Sequence, residues 1–340
     1  MSGKKYPSEL RFDLVSKDWV VIATGRAKRP ETFKQNSKKE EGGDKKDCPF
    51  CDLSKQEKPV LLFNKGEKVS GFDISKPWTT AVIPNKYPAF IPNSSLDEKI
   101  EGDIYETMNA LGFHEVVVFR DHEKNLGEFN LSEMEEVFSV YQSRYLSLMK
   151  EKFVDHISIF HNHGKSAGAS IYHPHSQIVT TPLIDVDMKR ALFNAEQYHD
   201  NRGKCVYCVM NEWEQKVKKR IVFENSEFTV VCPFASKSAF QVIITPKKHQ
   251  PFFEKITEKD KRYLAEAFLV TLQKLNKGLN NPDYNFYLHT SPCDGRDYPF
   301  YHYHWTIIPK TSTWAGFELG SRMEISTIEP EKAAAYLRKQ

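Results

Sequence analysis

Apolar residues recur along the chain in short β-type runs that alternate with longer stretches of helical spacing. Strand-like runs occur at residues 9–24 and 115–122, and apolar residues recur every three or four positions between 131 and 149. Asn130 and Glu133 suit the start of this helix, because an N-cap side chain and a glutamate three residues later satisfy each other's free backbone N–H groups. The pattern predicts a sheet with a helix that crosses over it.

The second half of the chain repeats the order of the first. Corresponding segments are the Cys-x-x-Cys pairs at 48–51 and 205–208, the strands at 82–90 and 242–252, the helices at 131–149 and from 257, and the His-x-His triplets at 173–175 and 302–304. We therefore predict an α+β protein built from two copies of one unit, residues 1–185 and 186–340, with mainly antiparallel sheet and crossover helices. Residues 186–202 would link the units, and a short helix from Pro330 would close the chain.

Composition and charge narrow the class of protein. Of the 340 residues 27% are charged, and the formal net charge of +3 is too small to indicate a nucleic-acid or membrane partner. No apolar run approaches the roughly 20 residues of a membrane span, and no signal-type apolar segment follows the first residues. Four of the six cysteines form two Cys-x-x-Cys pairs, which suits a reducing compartment. We expect a cytoplasmic protein that binds neither nucleic acid nor membrane.

Each Cys-x-x-Cys pair has distant histidines that could complete a tetrahedral zinc site, since thiolate and imidazole are the ligands that zinc prefers. The predicted sets are Cys48, Cys51, His122 and His173 for the first site, and Cys205, Cys208, His249 and His302 for the second. A redox pair is the alternative, and it would require a helix directly after the cysteines, which residues 51–55 do not indicate. Because protein groups supply all four ligands, both zinc ions would be structural.

The stretch from Ser170 to Gln177 contains the candidate reacting group. Side chains two and four residues apart on a β-strand share a face, so His173, His175 and Gln177 could point into one pocket. If His173 binds zinc, His175 is left free, and a neutral imidazole is a good nucleophile toward phosphorus. The small residues between Gly164 and Ser170 predict a loop that a ligand can approach closely. The alternative is a pair of surface histidines without a function.

A phosphoryl group at His175 would need donors for its oxygen atoms. Positioning and charge neutralisation do most of the work in phosphoryl transfer, so side-chain donors could suffice, and no compact cluster of acidic residues for magnesium is apparent. The candidate donors are Arg26, Arg29, Asn162, Ser170 and Gln177. The two arginines belong to a cation cluster that could equally be a solvated face.

The second copy lacks part of this equipment. His304 corresponds to His175, but Thr306 stands in the place of Gln177, and residues 291–295 lack the Gly-Ala-Ser sequence. We expect that the second copy keeps the scaffold without the reaction. The remaining histidines are interpreted as ordinary hydrogen-bonded or exposed residues: His114, His156, His161, His163 and His199.

Several of these motifs together resemble one known family, the galactose-1-phosphate uridylyltransferases, a branch of the histidine-triad superfamily. The segments that carry the resemblance are 26–30, Asn85, 168–170, 173–177 and 302–304. The resemblance covers the chain from Glu9 to about Glu331 and implies two tandem histidine-triad-like units. It also implies a ping-pong reaction in which His175 attacks the α-phosphorus of UDP-glucose, releases glucose 1-phosphate and passes UMP to galactose 1-phosphate.

Roles for individual residues follow from the resemblance. Gln177 would steady the uridylylated histidine, and Glu318 would contact the hexose. The residues near the nucleotide or phosphate would be Arg26, Arg29, Asn85, Asn162, Gly164 and Ser170. Family members are usually homodimers with shared active sites, so Glu318 could serve the pocket of the other subunit.

Two features leave alternatives open. Residues 319–326 differ from the Gly-rich segment ending in Ile-Asn that the family commonly has, which leaves the sugar specificity open. The cysteine-rich second site also resembles a sister branch, ADP-glucose phosphorylase, which passes the nucleotidyl group to phosphate; the His-Pro-His and second His-x-His motifs favour the uridylyltransferase. A zinc-ribbon protein that binds nucleic acid is the alternative of another class, and the small net charge and the lack of a basic aromatic face argue against it.

Overall fold

The computed structural model describes residues 8–23, 33 and 44–340. The strands in these ranges are β1 (Glu9–Phe12), β2 (Trp19–Ile22), β3 (Leu61–Asn64), β4 (Glu67–Lys68), β5 (Thr80–Pro84), β6 (Lys99–Glu101), β7 (Tyr105–Thr107), β8 (His114–Phe119), β9 (His156–His163), β10 (His175–Thr181), β11 (Ile221–Glu224), β12 (Phe228–Val231), β13 (Val242–Pro246), β14 (Tyr284–His289), β15 (His304–Pro309) and β16 (Ile325–Ser326). The helices are α1 (Leu131–Leu148), α2 (Val186–Arg202), α3 (Val206–Val217), α4 (Glu258–Leu279), α5 (Gly316–Ser321) and α6 (Pro330–Arg338).

The two long helices begin where their capping residues predict. The Asn130 side chain accepts a hydrogen bond from the backbone N–H of Glu133 at 3.0 Å, and Glu133 Oε2 accepts one from the Asn130 N–H at 2.7 Å. Thr257 and Asp260 form the same reciprocal arrangement at the start of α4. At the start of α6, Pro330 is tolerated because the N–H groups of a first turn have no helical partner. The predicted starts of these three helices are confirmed.

One antiparallel sheet of eleven strands organises the part of the chain that the structure describes. Its strand order is β11-β12-β13-β15-β14-β9-β10-β8-β5-β3-β4, with β9 and β14 paired near the middle. From this pair outward the order is β10, β8, β5, β3 on one side and β15, β13, β12, β11 on the other. The predicted α+β fold with mainly antiparallel sheet is confirmed. The matching order on the two sides supports a division at residues 185 and 186, which stays a prediction.

The strand order corrects one correspondence between the two halves. β13 occupies the place of β8, so residues 242–252 correspond to the segment around β8 and not to 82–90. His249 therefore corresponds to His122, since each lies three residues beyond the end of its strand. The wrong match arose because β5 and β13 are both short apolar runs that end in proline, and such a run does not specify its pairing partner.

α1 and α4 pack on one face of the sheet and form the main core with it. Trp305 of β15 is fully buried between them, with its ring centroid 5.6 Å from that of Phe138 and 5.4 Å from that of Phe268. Burying a side chain of phenylalanine size contributes roughly 1.5–3 kcal/mol to stability. This packing holds the sheet as a rigid support for the residues on its opposite face.

The remaining elements lie away from this core. β1, β2 and β16 form a separate three-stranded sheet, in which β16 runs parallel to β2, and β6 pairs only with β7 among the described strands. Residues 186–202, which were expected to link the two units, form helix α2. None of the helices in the described ranges is long and apolar enough to cross a membrane.

Candidate active site and metal-binding groups

The first predicted metal set comes together in the structure. The ligand atoms of Cys48, Cys51, His122 and His173 all lie within 4.8 Å of one another. Cys51 Sγ is 3.2 Å from His122 Nδ1, and the two Nδ1 atoms are 3.2 Å apart. Ligands on a tetrahedral zinc ion lie roughly 3.3–3.8 Å apart, given zinc bonds of 2.0–2.3 Å. The four residues therefore fit a metal ion of this kind.

A hydrogen bond on the side of the ring away from the cysteines fixes the orientation of His173. Its Nε2 donates a hydrogen bond to the backbone carbonyl of Phe119 at 2.5 Å, so its Nδ1 carries the lone pair that faces the cysteines. Burial lowers the pKa of His173 to about 4, which keeps the ring neutral as a metal ligand requires. β10 begins only at His175, so His173 precedes the strand and does not share one strand face with His175 and Gln177. That part of the sequence interpretation is wrong, because residues 170–173 form a bend before the strand starts.

The second predicted set has the same arrangement. The ligand atoms of Cys205, Cys208, His249 and His302 also lie within 4.8 Å of one another. Cys208 Sγ is 3.3 Å from His249 Nδ1 and 3.4 Å from His302 Nδ1. A helix does begin inside this pair, with Cys205 as the N-cap of α3, as a redox pair would have it. The two imidazole nitrogens that face the sulfur atoms nevertheless favour a metal site.

His175 is the first residue of β10, and its ring is buried. Its Nδ1 lies 2.9 Å from the backbone carbonyl of His173, and a carbonyl can only accept, so Nδ1 carries the proton and Nε2 carries the lone pair. Burial lowers the pKa of His175, and the Phe50 ring packs 5.1 Å from the imidazole. The result is a neutral imidazole with an available Nε2, which is the form that can attack phosphorus.

Two amide side chains flank His175. Gln177 lies two residues further on the same face of β10, and because Ser176 pairs with His161, the next step along β9 brings Asn162 beside His175. Gln177 Oε1 lies 2.8 Å from His114 Nε2, and Asn162 Oδ1 accepts a hydrogen bond from Asn285 Nδ2 at 2.7 Å. With their oxygen atoms occupied, both amides keep N–H groups that can donate to a phosphoryl oxygen.

The predicted loop adjoins this face. Gly164 has φ +80°, and a Cβ atom there would lie 2.0 Å from Asp283 Oδ1, so only glycine fits. Asp283 Oδ2 accepts hydrogen bonds from the backbone N–H of Ser166 at 2.7 Å and from its hydroxyl at 2.5 Å. Ser170 is exposed at the end of the loop. These contacts hold the backbone at Gly164 and Ser166, and Ser166 is nine residues before His175.

The other predicted substrate residues lie at different distances from this centre or outside the described ranges. Asn85 follows β5, and its Nδ2 lies 3.1 Å from His114 Nε2, next to the contact of that ring with Gln177. Glu318 lies in the exposed helix α5, where Oε2 accepts a hydrogen bond from the Ala315 N–H at 3.0 Å, and the structure does not bring it to His175. Arg26 and Arg29 lie outside the described residues.

A second centre stands at the start of β15. His304 Nδ1 donates to the carbonyl of His302 at 3.1 Å, as His175 Nδ1 donates to that of His173, and burial lowers the pKa of His304 to about 4. Its cross-strand neighbour is His289, whose ring stacks on it at 4.6 Å, and Thr306 takes the place of Gln177. A groove of ≈ 1910 Å³ runs along this face of the sheet, lined by Asn162 and Ser166 as well as His304 and Thr306.

Sequence reasoning missed three residues that contact the site. His114 was interpreted as ordinary, and neither Asp283 nor Asn285 was singled out, because each meets its partner only through strand pairing or a loop contact. His161 was also treated as ordinary. It is buried, with Nδ1 3.0 Å from Ser176 Oγ, and burial holds its pKa well below the usual range. The one available signal was the position of His114 at the start of a strand rich in valine.

Comparison with known proteins agrees with this geometry. The family described as Galactose-1-phosphate uridyl transferase, N-terminal domain, matches residues 1–185. ADP-glucose phosphorylase of Arabidopsis thaliana is 32% identical over 335 residues, covering 97% of this chain and 92% of the relative. Galactose-1-phosphate uridylyltransferase of Thermotoga maritima is 26% identical over 340 residues, covering 97% and 98%.

Solved structures show the same fold. A crystal structure of ADP-glucose phosphorylase from Arabidopsis thaliana with bound ADP-glucose superposes with a TM-score of 0.82 at 29% identity, covering 98% of this chain and 99% of that one. A uridylyltransferase structure superposes with a TM-score of 0.74 at 25% identity, covering 97% of both chains. The chain therefore belongs to the galactose-1-phosphate uridyl transferase family of nucleotidyltransferases, within the histidine-triad superfamily.

Proposed function

We propose that the protein transfers a nucleotidyl group from a nucleotide sugar through a covalent adduct on His175. The observation that carries the proposal is the His175 ring, which is neutral by burial and has its Nδ1 proton held by the His173 carbonyl. Nε2 attacks the α-phosphorus, the bond from phosphorus to the bridging oxygen breaks, and the sugar 1-phosphate leaves with the electron pair. An oxygen of the acceptor phosphate then attacks the same phosphorus, and the phosphorus–nitrogen bond breaks to restore the neutral ring.

The surrounding groups would act on the charge that develops. The His173 carbonyl accepts the hydrogen bond from His175 Nδ1–H and would stabilise the positive ring of the adduct. The amides of Gln177 and Asn162 would donate to the phosphoryl oxygens, and Ser170, the backbone at Gly164, Asn85, Arg26 and Arg29 would bind the nucleotide. Preorganised donors of this kind act without reorganisation in a site that excludes water.

For the substrates, we propose UDP-glucose as donor and a hexose 1-phosphate such as galactose 1-phosphate as acceptor. The family match and the uridylyltransferases of Thermotoga maritima and Haemophilus influenzae, which align with 97% and 96% of the chain, support this assignment. Glu318 would contact the hexose, in a homodimer with shared active sites. We also infer a cytoplasmic location.

A second candidate is an ADP-glucose phosphorylase, which would pass AMP from His175 to inorganic phosphate. The specific observation in its favour is the 32% identity to the Arabidopsis thaliana enzyme of that name, together with the TM-score of 0.82 to its structure with ADP-glucose. The chemistry at His175 is the same in both candidates, and only the base and the acceptor differ.

Zinc would be structural at both Cys₂His₂ groups. When bound, the ion at the first group would hold His173, and with it the carbonyl that orients His175. The second group would hold the corresponding part of the other half.

The test is a labelling experiment with UDP-glucose and ADP-glucose, each labelled at the α-phosphorus. We expect one of them to leave an acid-labile, base-stable label on the protein. A chase with galactose 1-phosphate or with phosphate then identifies the acceptor. An unlabelled wild type, or equal labelling of His175→Ala, would remove the proposal.

A further inference from the structure

Two side chains outside the proposed machinery touch the amides that flank His175, one from each half of the chain. We infer that His114 and Asn285 are positioning residues that decide which way the amides of Gln177 and Asn162 face. The inference rests on the proposed transfer at His175. Each residue is inferred to act through the amide that it contacts, and neither is a proposed donor to the phosphoryl oxygens.

The argument for His114 follows from the polarity of its partners. The backbone N–H of Ala89 donates to His114 Nδ1 at 3.1 Å, and a backbone N–H cannot accept. In the neutral ring the proton must then sit on Nε2, which makes Nε2 a donor. Its hydrogen-bond partner at 2.8 Å must be an acceptor, so this is the Oε1 end of the Gln177 amide and not its nitrogen. Asn85 Nδ2 also lies 3.1 Å from Nε2, but Asn85 Oδ1 accepts from the Tyr87 N–H, so two donors face each other there and this contact is not a hydrogen bond. The tautomer of His114 thus leaves both N–H bonds of the Gln177 amide for other acceptors.

Asn285 is oriented by the same kind of argument. The carbonyl of Ala167 can only accept, so the Asn285 atom 2.8 Å from it must be the amide nitrogen. The same nitrogen lies 2.7 Å from the Asn162 side chain and donates its second hydrogen there, so the Asn162 atom that accepts must be Oδ1. Asn285 and Asn162 are direct partners across the β9–β14 pair, where the two halves of the sheet meet. The second half of the chain therefore orients a donor that serves the first.

The orientation of each amide determines whether it stabilises or destabilises a phosphoryl group at His175. An amide whose nitrogen faces a phosphoryl oxygen stabilises it, whereas the flipped amide presents an oxygen atom to another oxygen atom. The two forms have almost the same shape, so packing alone does not choose between them. His114 and Asn285 supply that choice through donors of fixed polarity. Their removal should slow the transfer step more than it weakens binding of the donor substrate.

Two double-mutant cycles test the inference, with single-turnover labelling by whichever donor labels the wild type. We expect His114→Ala and Asn285→Ala each to lower the limiting labelling rate about 10-fold to 100-fold, less than the loss of a direct donor. In a Gln177→Ala background, His114→Ala should change the rate by no more than about threefold. Asn285→Ala should behave likewise in an Asn162→Ala background, because residues that act through one another are not additive.

Controls separate positioning from a general loss of structure. His156→Ala removes another buried histidine of the same sheet, and Asn225→Ala removes an amide that also donates to two acceptors, far from His175. Both should label at the wild-type rate. Additive losses in both cycles, or equal losses in the two controls, would overturn the inference while the labelled wild type leaves the proposed function intact. A wild type without label would instead end the proposed function, and the inference with it.

Discussion

His175 and His304 occupy equivalent places in the two halves of the sheet, each at the first position of its strand and each two residues after a histidine of a Cys₂His₂ group. Both rings donate Nδ1–H to the carbonyl of that preceding histidine, at 2.9 Å and 3.1 Å, and burial lowers the pKa of both. The scaffold therefore produces twice a neutral imidazole whose Nε2 carries the lone pair. On the proposed mechanism, such a histidine alone would not make a reaction centre.

What differs is the set of neighbours. Beside His175 stand two amides, Gln177 and Asn162, whose oxygen atoms are occupied by fixed donors. Beside His304 stand Thr306 and a second histidine, His289, stacked at 4.6 Å. Because the charge that develops in phosphoryl transfer lies on the oxygen atoms, the oriented donors and not the nucleophile separate the two centres.

Replacing the central histidine should have the most different effects on labelling in the two centres. His175→Ala should lower nucleotidyl labelling by roughly 10⁴-fold or more, as the loss of a nucleophile does. His304→Ala should leave the labelling rate within about threefold, since neighbouring groups in the second centre do not suit the reaction. Quantified label after a single turnover measures both, and comparable losses in the two variants would contradict the comparison.

The residue two positions after each histidine should show the next largest difference. Gln177→Ala removes a proposed donor to the phosphoryl oxygens and should slow labelling by about 10²-fold to 10³-fold. Thr306→Ala is the matched change in the second centre and should have almost no effect on the rate. The limiting rate at saturating nucleotide sugar is the quantity to measure. A loss for Thr306→Ala as large as that for Gln177→Ala would place the second centre in the reaction.

The two Cys₂His₂ groups can be compared in the same way. Elemental analysis should find two zinc ions per chain in the wild type and one in either Cys51→Ser or Cys208→Ser. Labelling should fall about 10-fold to 100-fold in Cys51→Ser. The side chain of His173 belongs to the same Cys₂His₂ group as Cys51, and the backbone carbonyl of His173 orients His175. Cys208→Ser should label within about threefold of the wild type. A wild type that binds no zinc yet labels fully would refute both ligand assignments.

The smallest effect concerns stability, and it follows from the inner face of the same strands. His161 pairs with Ser176 on β10, whereas the equivalent residues of the second half, Leu288 and Trp305, are apolar. Burial holds the pKa of His161 well below the usual range, so the unfolded chain binds the proton more readily. Protonation of His161 therefore does not reduce the free energy of unfolding above about pH 6.5. Below that pH the unfolded chain takes up the proton first, and the free energy of unfolding falls by about 1.4 kcal/mol per pH unit.

His161→Leu places the residue of the second half into the first and tests this difference. Between pH 6.5 and pH 5 the free energy of unfolding should fall less steeply in the variant than in the wild type. The slope against pH should be smaller by about 1 kcal/mol per pH unit. Urea unfolding at several pH values measures the slope. Parallel curves for the two proteins would show that His161 is not the titrating group.

Local signals in the sequence were sufficient for much of the protein. The starts of α1 and α4 follow from Asn130 and Thr257, because capping is an interaction between residues three apart. The two Cys₂His₂ sets were accessible because a Cys-x-x-Cys pair and a later His-x-His triplet occur twice in the same order. Gln177 was accessible because it lies only two residues after His175. The α+β class followed from the alternation of apolar periods.

The partners of the strands were not accessible in this way. His114 lies 63 residues from Gln177, and Asn162 lies 123 residues from Asn285, so neither contact leaves a local pattern. The match of 242–252 with 82–90 was wrong for the same reason, because the sequence of a short apolar strand does not indicate which strand it pairs with. The sequence thus shows which side chains could carry the chemistry at His175. The pairing of strands across the sheet determines which of them are oriented to do so, because an amide acquires a direction only from the donor that lies opposite to it.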